Sequence, residues 1–149
     1  GHNPELIRAS RRINNAMGAY VADRVIRLMM QNDVAVNNAK VLVLGLTFKE
    51  DCPDLRNSRV IDVVNEFTGL GMLVDVFDPW ADLEQAKSAY NITLTDQPEN
   101  NAYDAIVLTV AHEAFKTLGA SEIRKWGKGT HVLFDTKGAL PGHAVDGRL

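Results

Sequence analysis

One run of residues constrains this chain more than any other: Val41-Leu42-Val43-Leu44, apolar at every position and closed by Gly45. A strand with one wet face alternates apolar and polar side chains. A short strand with no polar position is covered on both faces, as in a parallel sheet lying between helices. The rest of the chain repeats the theme. Met72-Leu73-Val74-Asp75-Val76-Phe77, ended by Asp78-Pro79, reads as a second strand, Asp104 to Thr109 as a clear later one, and His131 to Asp135 as the last. Ile92-Thr93-Leu94 reads as a short strand between them. Helical spacing separates these runs. Val60, Val63, Val64 and Phe67 share one face of a helix from Arg59 to Thr68, closed by Gly69 and Gly71. A weaker helix covers Asp82 to Ala89, and two more cover Glu113 to Leu118 and Ser121 to Trp126.

Strands alternating with helices at this spacing make βαβ units, and right-handed crossovers stack them in three layers. The expected fold is therefore an α/β, Rossmann-like three-layer sandwich with a parallel sheet, preceded by one long N-terminal helix. That helix has a good start signal, with Asn3 to cap, Pro4 at the first helical position and Glu5 at the positive end of the dipole. Ile13, Met17, Val21, Val25 and Leu28 follow one face, and Tyr20, Ala22, Ile26 and Met29 widen it. The helix fades in Gln31-Asn32-Asp33. We divide the chain into this helix, 1–36, and a nucleotide-binding domain, 39–149. A helix this long and apolar is expected to need a further partner beyond one small domain. The chain opens at Gly1-His2 without a methionine, and we expect it to be a piece of a longer protein.

Charge and cysteine use narrow the function classes. The balance of 16 basic against 19 acidic side chains, net -3, argues against a nucleic-acid or anionic-membrane partner. No apolar run reaches membrane-spanning length and no signal-peptide pattern is present. The single cysteine, Cys52, allows no internal disulfide and fits the reducing cytoplasm, where we place the protein.

In open parallel sheets ligands bind beyond the carboxyl ends of the strands. The richest such end is the loop from Gly45 to Ser58. Asn57 or Ser58 can cap the next helix, whose free amides attract anions. Lys49, Arg56 and Arg59 add positive charge, and Asp51 and Asp54 are placed to orient those cations or to hold the loop's own amides. The loop is not the G-x-G-x-x-G dinucleotide fingerprint, since Gly45 stands alone before Leu46, Thr47 and Phe48. Cys52 reads as a loop residue. His2, His112, His131 and His143 share no metal-ligand spacing, so no metal is assigned, and no catalytic residue either. His112 reads equally as a cleft residue or a surface loop residue. Asp78 suits an Asp-Pro turn better than a ribose contact, Lys137 is expected to touch ligand, and Trp80 and Trp126 to pack.

The segment Gly45 to Ser58, with Phe48-Lys49, Asp51 and Asp54-Leu55-Arg56, resembles the C-terminal domain of the UDP-glucose/GDP-mannose dehydrogenase family. Asp78-Pro79, Tyr103-Asp104-Ala105, His112 with Phe115, and Phe134-Asp135 with Lys137-Gly138 extend the likeness. Pro4-Glu5, Arg12-Ile13-Asn14 and Met17 resemble that family's central dimerisation helix. Cys52-Pro53-Asp54-Leu55-Arg56-Asn57 is most similar to the bacterial branch acting on UDP-N-acetylhexosamines in surface polysaccharide biosynthesis (capsule, Vi-antigen, O-antigen). The resemblance implies a full-length oxidoreductase that oxidises the C6 alcohol of a nucleotide sugar to a carboxylate with two NAD⁺. It implies that this part binds UDP, with Phe48, Lys49 and Lys137 at the substrate and Arg56 reaching the NAD pyrophosphate, and that the helix builds a homodimer. The family's NAD domain, nucleophilic cysteine and catalytic lysine would all precede residue 1, and Cys52 does not match that cysteine. The fragment alone is therefore expected to be inactive.

Two other readings compete. One keeps the enzyme and changes the substrate to UDP-glucose or GDP-mannose. The other is a non-catalytic nucleotide-binding or regulatory module. A phospho-acceptor receiver is disfavoured, because no acidic pair follows the first strand.

Overall fold

The computed structural model describes the backbone of residues 4–149, with side chains from residue 16 onward. The Asn3 cap, His2, and the side chains of Glu5, Arg12, Ile13 and Asn14 lie outside the described residues. Helix α1 (Pro4–Gln31) leads into β1 (Lys40–Leu44), α2 (Val60–Gly69), β2 (Leu73–Phe77), α3 (Leu83–Tyr90), β3 (Tyr103–Leu108), α4 (Glu113–Arg124), β4 (Gly127–Asp135) and β5 (Gly147–Arg148). All five strands are parallel, in the order β2-β1-β3-β4-β5.

The uninterrupted apolar strands do what their composition requires. Val41, Val43, Ala105, Val107, Val132 and Phe134 point into one core, closed by α1 and α2. Leu42, Leu44, Ile106, Leu108 and Leu133 point into the other, with Phe115, Ile123 and Trp126. Full burial of each such aliphatic side chain contributes about 1.5–3 kcal/mol, so neither face tolerates a polar residue.

The second half of α1 belongs to this sandwich. Val21, Ala22, Val25 and Met29 are buried in the first core. Gly18 marks the crossing with α2, where an added Cβ would lie 2.9 Å from the Asp62 backbone. Among the described residues, the expected need for a partner thus falls on the face bearing Met17, Tyr20 and Met30, which stay about half exposed at 53%, 49% and 60%.

The two helices expected after β3 are present as the two limbs of α4, separated at Gly119, whose φ of 80° and ψ of 164° are not helical. Three details differ from expectation. Ile92–Leu94 forms no strand and contributes one parallel bridge, Val76 to Leu94. β4 starts at Gly127, ahead of His131, with a register shift opposite Tyr103 to Ala105. β5 carries no sequence pattern; it pairs with β4, and side chains secure the approach to it. Asp146 accepts the Leu133 amide at 2.7 Å and the Arg124 guanidinium at 3.1 Å.

Candidate functional site

The order β2-β1-β3-β4-β5 reverses direction at β1, so the crevice between the ends of β1 and β3 is the place where such sheets bind ligands. The loop 45–58 lies there, and its conformation is dictated from beneath. Asp78, at the end of β2, is buried and accepts five hydrogen bonds. Its Oδ2 takes the amides of Leu46 at 2.7 Å and Thr47 at 3.1 Å and lies 3.0 Å from His112 Nε2. Its Oδ1 takes the amides of Trp80 at 2.7 Å and Ala81 at 3.1 Å. Burial by itself would raise this carboxyl. The hydrogen bonds from His112, Leu46 and Trp80 outweigh burial and hold it below the usual carboxylate range.

His112 is also fully buried, as the residue preceding α4. Its Nδ1 accepts the Asp51 amide at 2.9 Å, which places the ring proton on Nε2, facing Asp78 and Thr47 Oγ1. Asp51 in turn accepts the Glu113 amide at 2.9 Å, from a backbone with φ 55°. Thr47 Oγ1 donates to the Lys49 carbonyl at 3.0 Å, and the Phe48 amide donates to the Asp54 carbonyl at 2.7 Å. The loop is thereby sewn to the ends of β2 and β3, while Phe48 and Lys49 at its crest face solvent, Phe48 with 57% of its surface exposed.

The far limb of the loop carries the arginine. Asp54 holds Arg56 in a bidentate fork, Oδ1 to Nε and Oδ2 to Nη2, both at 3.1 Å, and also accepts the Arg56 amide. That fork lowers the Asp54 carboxyl and raises the guanidinium. Arg56 retains donors that face solvent. It lines an open groove of about 790 Å³ with half-buried Cys52, Pro53, Asp82, Gln85 and Tyr90. Tyr90 OH donates to the Leu55 carbonyl and fixes the groove's floor.

Lys137 stands elsewhere, in the turn after β4. It lines a second crevice, of about 330 Å³, with Arg59, Thr109, Thr136, Met17 and Val63. Two cations beside the start of α2 make this crevice suited to a phosphate. The helix is not capped by Asn57, whose φ is 60°. Ser58 Oγ accepts the Val60 amide at 3.3 Å while donating to the Leu46 carbonyl. Thus the structure does not gather Phe48, Lys49, Arg56 and Lys137 into one pocket. It distributes them along one rim of the sheet.

Three residues depart from their sequence reading. Asp78 does more than shape a turn: it is the anchor of the whole loop. His112 is neither a cleft residue nor a surface one. Trp80, expected to pack, is 45% exposed, whereas Trp126 is buried. The acidic side chain that a dinucleotide fold would offer to a ribose is here engaged with the loop. The Leu46 and Thr47 amides, placed as phosphate-cradling amides would be, are bound to it. The loop therefore does not fit a dinucleotide pyrophosphate against its backbone. Among the described residues, no three His, Cys, Asp or Glu side chains converge in a way that suits a metal, and no helix is long and apolar enough to cross a membrane.

Comparison with known proteins agrees with this geometry. The chain is 49% identical over its full length to a UDP-N-acetyl-D-glucosamine 6-dehydrogenase of Pseudomonas aeruginosa, covering 35% of that protein. It is 45% identical to an enzyme of the same name from Salmonella typhi, again across the whole chain and 35% of the relative. Among solved structures, an NDP-N-acetyl-D-galactosaminuronic acid dehydrogenase from Methanosarcina mazei Go1 superposes with a TM-score of 0.76 at 25% identity, over 95% of this chain and 29% of that one. The chain thus spans about a third of the length of the curated relatives it matches. Residues 42–142 match the model of the UDP-glucose/GDP-mannose dehydrogenase family, UDP binding domain, and the chain belongs to that family.

Proposed function

We propose that this chain is the substrate-nucleotide-binding part of an NAD-dependent dehydrogenase that oxidises C6 of a UDP-N-acetylhexosamine to its uronic acid. The observation that carries the proposal is the anchored loop at the sheet's switch point, which lifts Phe48 and Lys49 into solvent on a conformation fixed by Asp78. A loop already held in place loses little entropy when a ligand arrives. Phe48 offers a flat face to a base and Lys49 a cation to a diphosphate. Lys137, with Arg59, offers further charge along the same rim. The N-acetylhexosamine follows the names of the two bacterial relatives.

NAD is assigned mainly to the rest of a longer polypeptide, because the β1 loop does not fit its pyrophosphate. Arg56, with solvent-facing donors beyond its Asp54 fork, is the one residue here assigned to the cofactor. The chain by itself is assigned no turnover. Residues 1–36 are assigned to a dimerisation element and residues 39–149 to the UDP-binding domain. The exposed Met17 and Tyr20 support a second copy packing along α1, and cytoplasmic biosynthesis of surface polysaccharide is the setting that fits.

Calorimetric titration tests the reading. UDP is expected to bind saturably and GDP not to bind. Lys49→Ala should weaken UDP by roughly 10- to 100-fold, the range for one charge-assisted contact. Equal affinity for GDP, or a Lys49→Ala variant that binds UDP unchanged, would remove the basis for the assignment.

A further inference from the structure

We infer that His112 is a positioning residue for nucleotide binding: it acts through the Thr47–Asp51 turn and sets the presentation of Phe48 and Lys49 without touching the ligand. The inference rests on the function proposed above. His112 is fully buried on its own, yet both ring nitrogens are committed to the loop that bears the ligand-facing residues. Nε2 meets Asp78 at 3.0 Å, the carboxylate that takes the Leu46 and Thr47 amides. Nδ1 takes the Asp51 amide at 2.9 Å. The residues between these two attachments are those whose side chains face solvent. The loop is held before them and after them, and the two holding points converge on one imidazole ring.

The ring is itself kept in place. It follows β3, precedes α4, and lies against Phe115 with ring centroids 5.6 Å apart. Asp51 Oδ1 accepts the Glu113 amide, so the turn and the start of α4 are bonded reciprocally. No other described side chain bonds to both Asp78 and the Asp51 turn. A general packing role would require only bulk at position 112. A positioning role requires a donor at Nε2 and an acceptor at Nδ1, and these two requirements separate experimentally. Asn places its carbonyl oxygen near the Nδ1 position, and Gln places its amide nitrogen near the Nε2 position.

The experiment compares the unaltered chain with His112→Ala, His112→Asn and His112→Gln. It reads amide hydrogen exchange at Asp51, with Val43 and Val107 as core controls, together with UDP affinity. In His112→Ala, Asp51 exchange is expected to speed at least about tenfold relative to the core amides, since local opening there no longer breaks a bond. UDP binding is expected to weaken by about tenfold, a loss comparable to one good contact. His112→Asn should restore Asp51 protection and part of the UDP affinity even if it is no more stable than His112→Ala. His112→Gln should leave Asp51 fast. Unchanged Asp51 exchange in His112→Ala would overturn the inference. So would an Asn variant that recovers protection but still binds UDP as weakly as Ala. If the unaltered chain binds no UDP, the proposed function fails, and the Asp51 exchange data alone decide whether His112 holds the turn.

Discussion

Asp78→Ala is expected to lower folding stability by about 3–5 kcal/mol, the range for removing one partner of a buried charged network, read as a fall in the urea midpoint. The size follows from what is left behind. Four backbone amides lose their acceptor, those of Leu46 and Thr47 in buried positions, and the His112 Nε2 proton loses the nearer of its two partners. Each buried unsatisfied donor costs about 1–3 kcal/mol, and partial rearrangement keeps the total below their sum. Asp78→Asn should fall between, because one carbonyl oxygen serves only one of the two donor sets.

The same group gives acid sensitivity. Its folded pKa lies below the ordinary value of 3.8, so it binds protons more weakly folded than unfolded. Its contribution is complete above that ordinary value and is lost as pH falls through the lower, folded one. Below pH 3.8 the unaltered chain should lose stability more steeply than Asp78→Ala. A variant within about 1 kcal/mol of the parent would show that the loop amides find other acceptors.

Gly45→Ala is the second large effect, expected at about 3–5 kcal/mol from backbone strain and overpacking together. Gly45 has φ 104°, outside the range that L side chains adopt readily. An added Cβ would lie 2.5 Å from Val110 Cβ and 2.9 Å from the Val110 backbone nitrogen, and backbone does not yield as a flexible side-chain end would. The Gly45 amide also donates to the Phe77 carbonyl, so the residue cannot back away without breaking the β1–β2 edge. By contrast, Gly69→Ala meets nothing within 4 Å and should change stability by no more than about 1 kcal/mol. Equal effects at the two positions would refute the steric account.

What could be read in advance follows from how locally each feature is encoded. β1 and β3 were legible because Val41 to Leu44 and Ala105 to Leu108 are unbroken apolar runs, a pattern that needs no knowledge of partners. α2 was legible from Val60, Val63, Val64 and Phe67. β5 was not, because Gly147 and Arg148 carry no strand signature and are placed by Asp146 and Arg124. Trp80 was misread for a related reason: its amide is what Asp78 holds, and the ring simply projects. The exposed residues Phe48, Lys49 and Arg56 were found through a motif. The anchor beneath them was not, because Leu46, Asp78 and His112 are far apart along the chain and meet only after β1 has paired with both β2 and β3.

The order of the strands also has a consequence for how the chain acquires its shape. Val41 must find Ala105, across a stretch that contains two helices and the whole of β2. Closing so long a loop is entropically expensive and comes late. Until β3 arrives, β1 and β2 form only a two-stranded parallel ribbon with an open apolar edge at Leu42 and Leu44. During synthesis, that edge stays uncovered until Leu108 has emerged, and chains that stop short of it are the ones expected to aggregate.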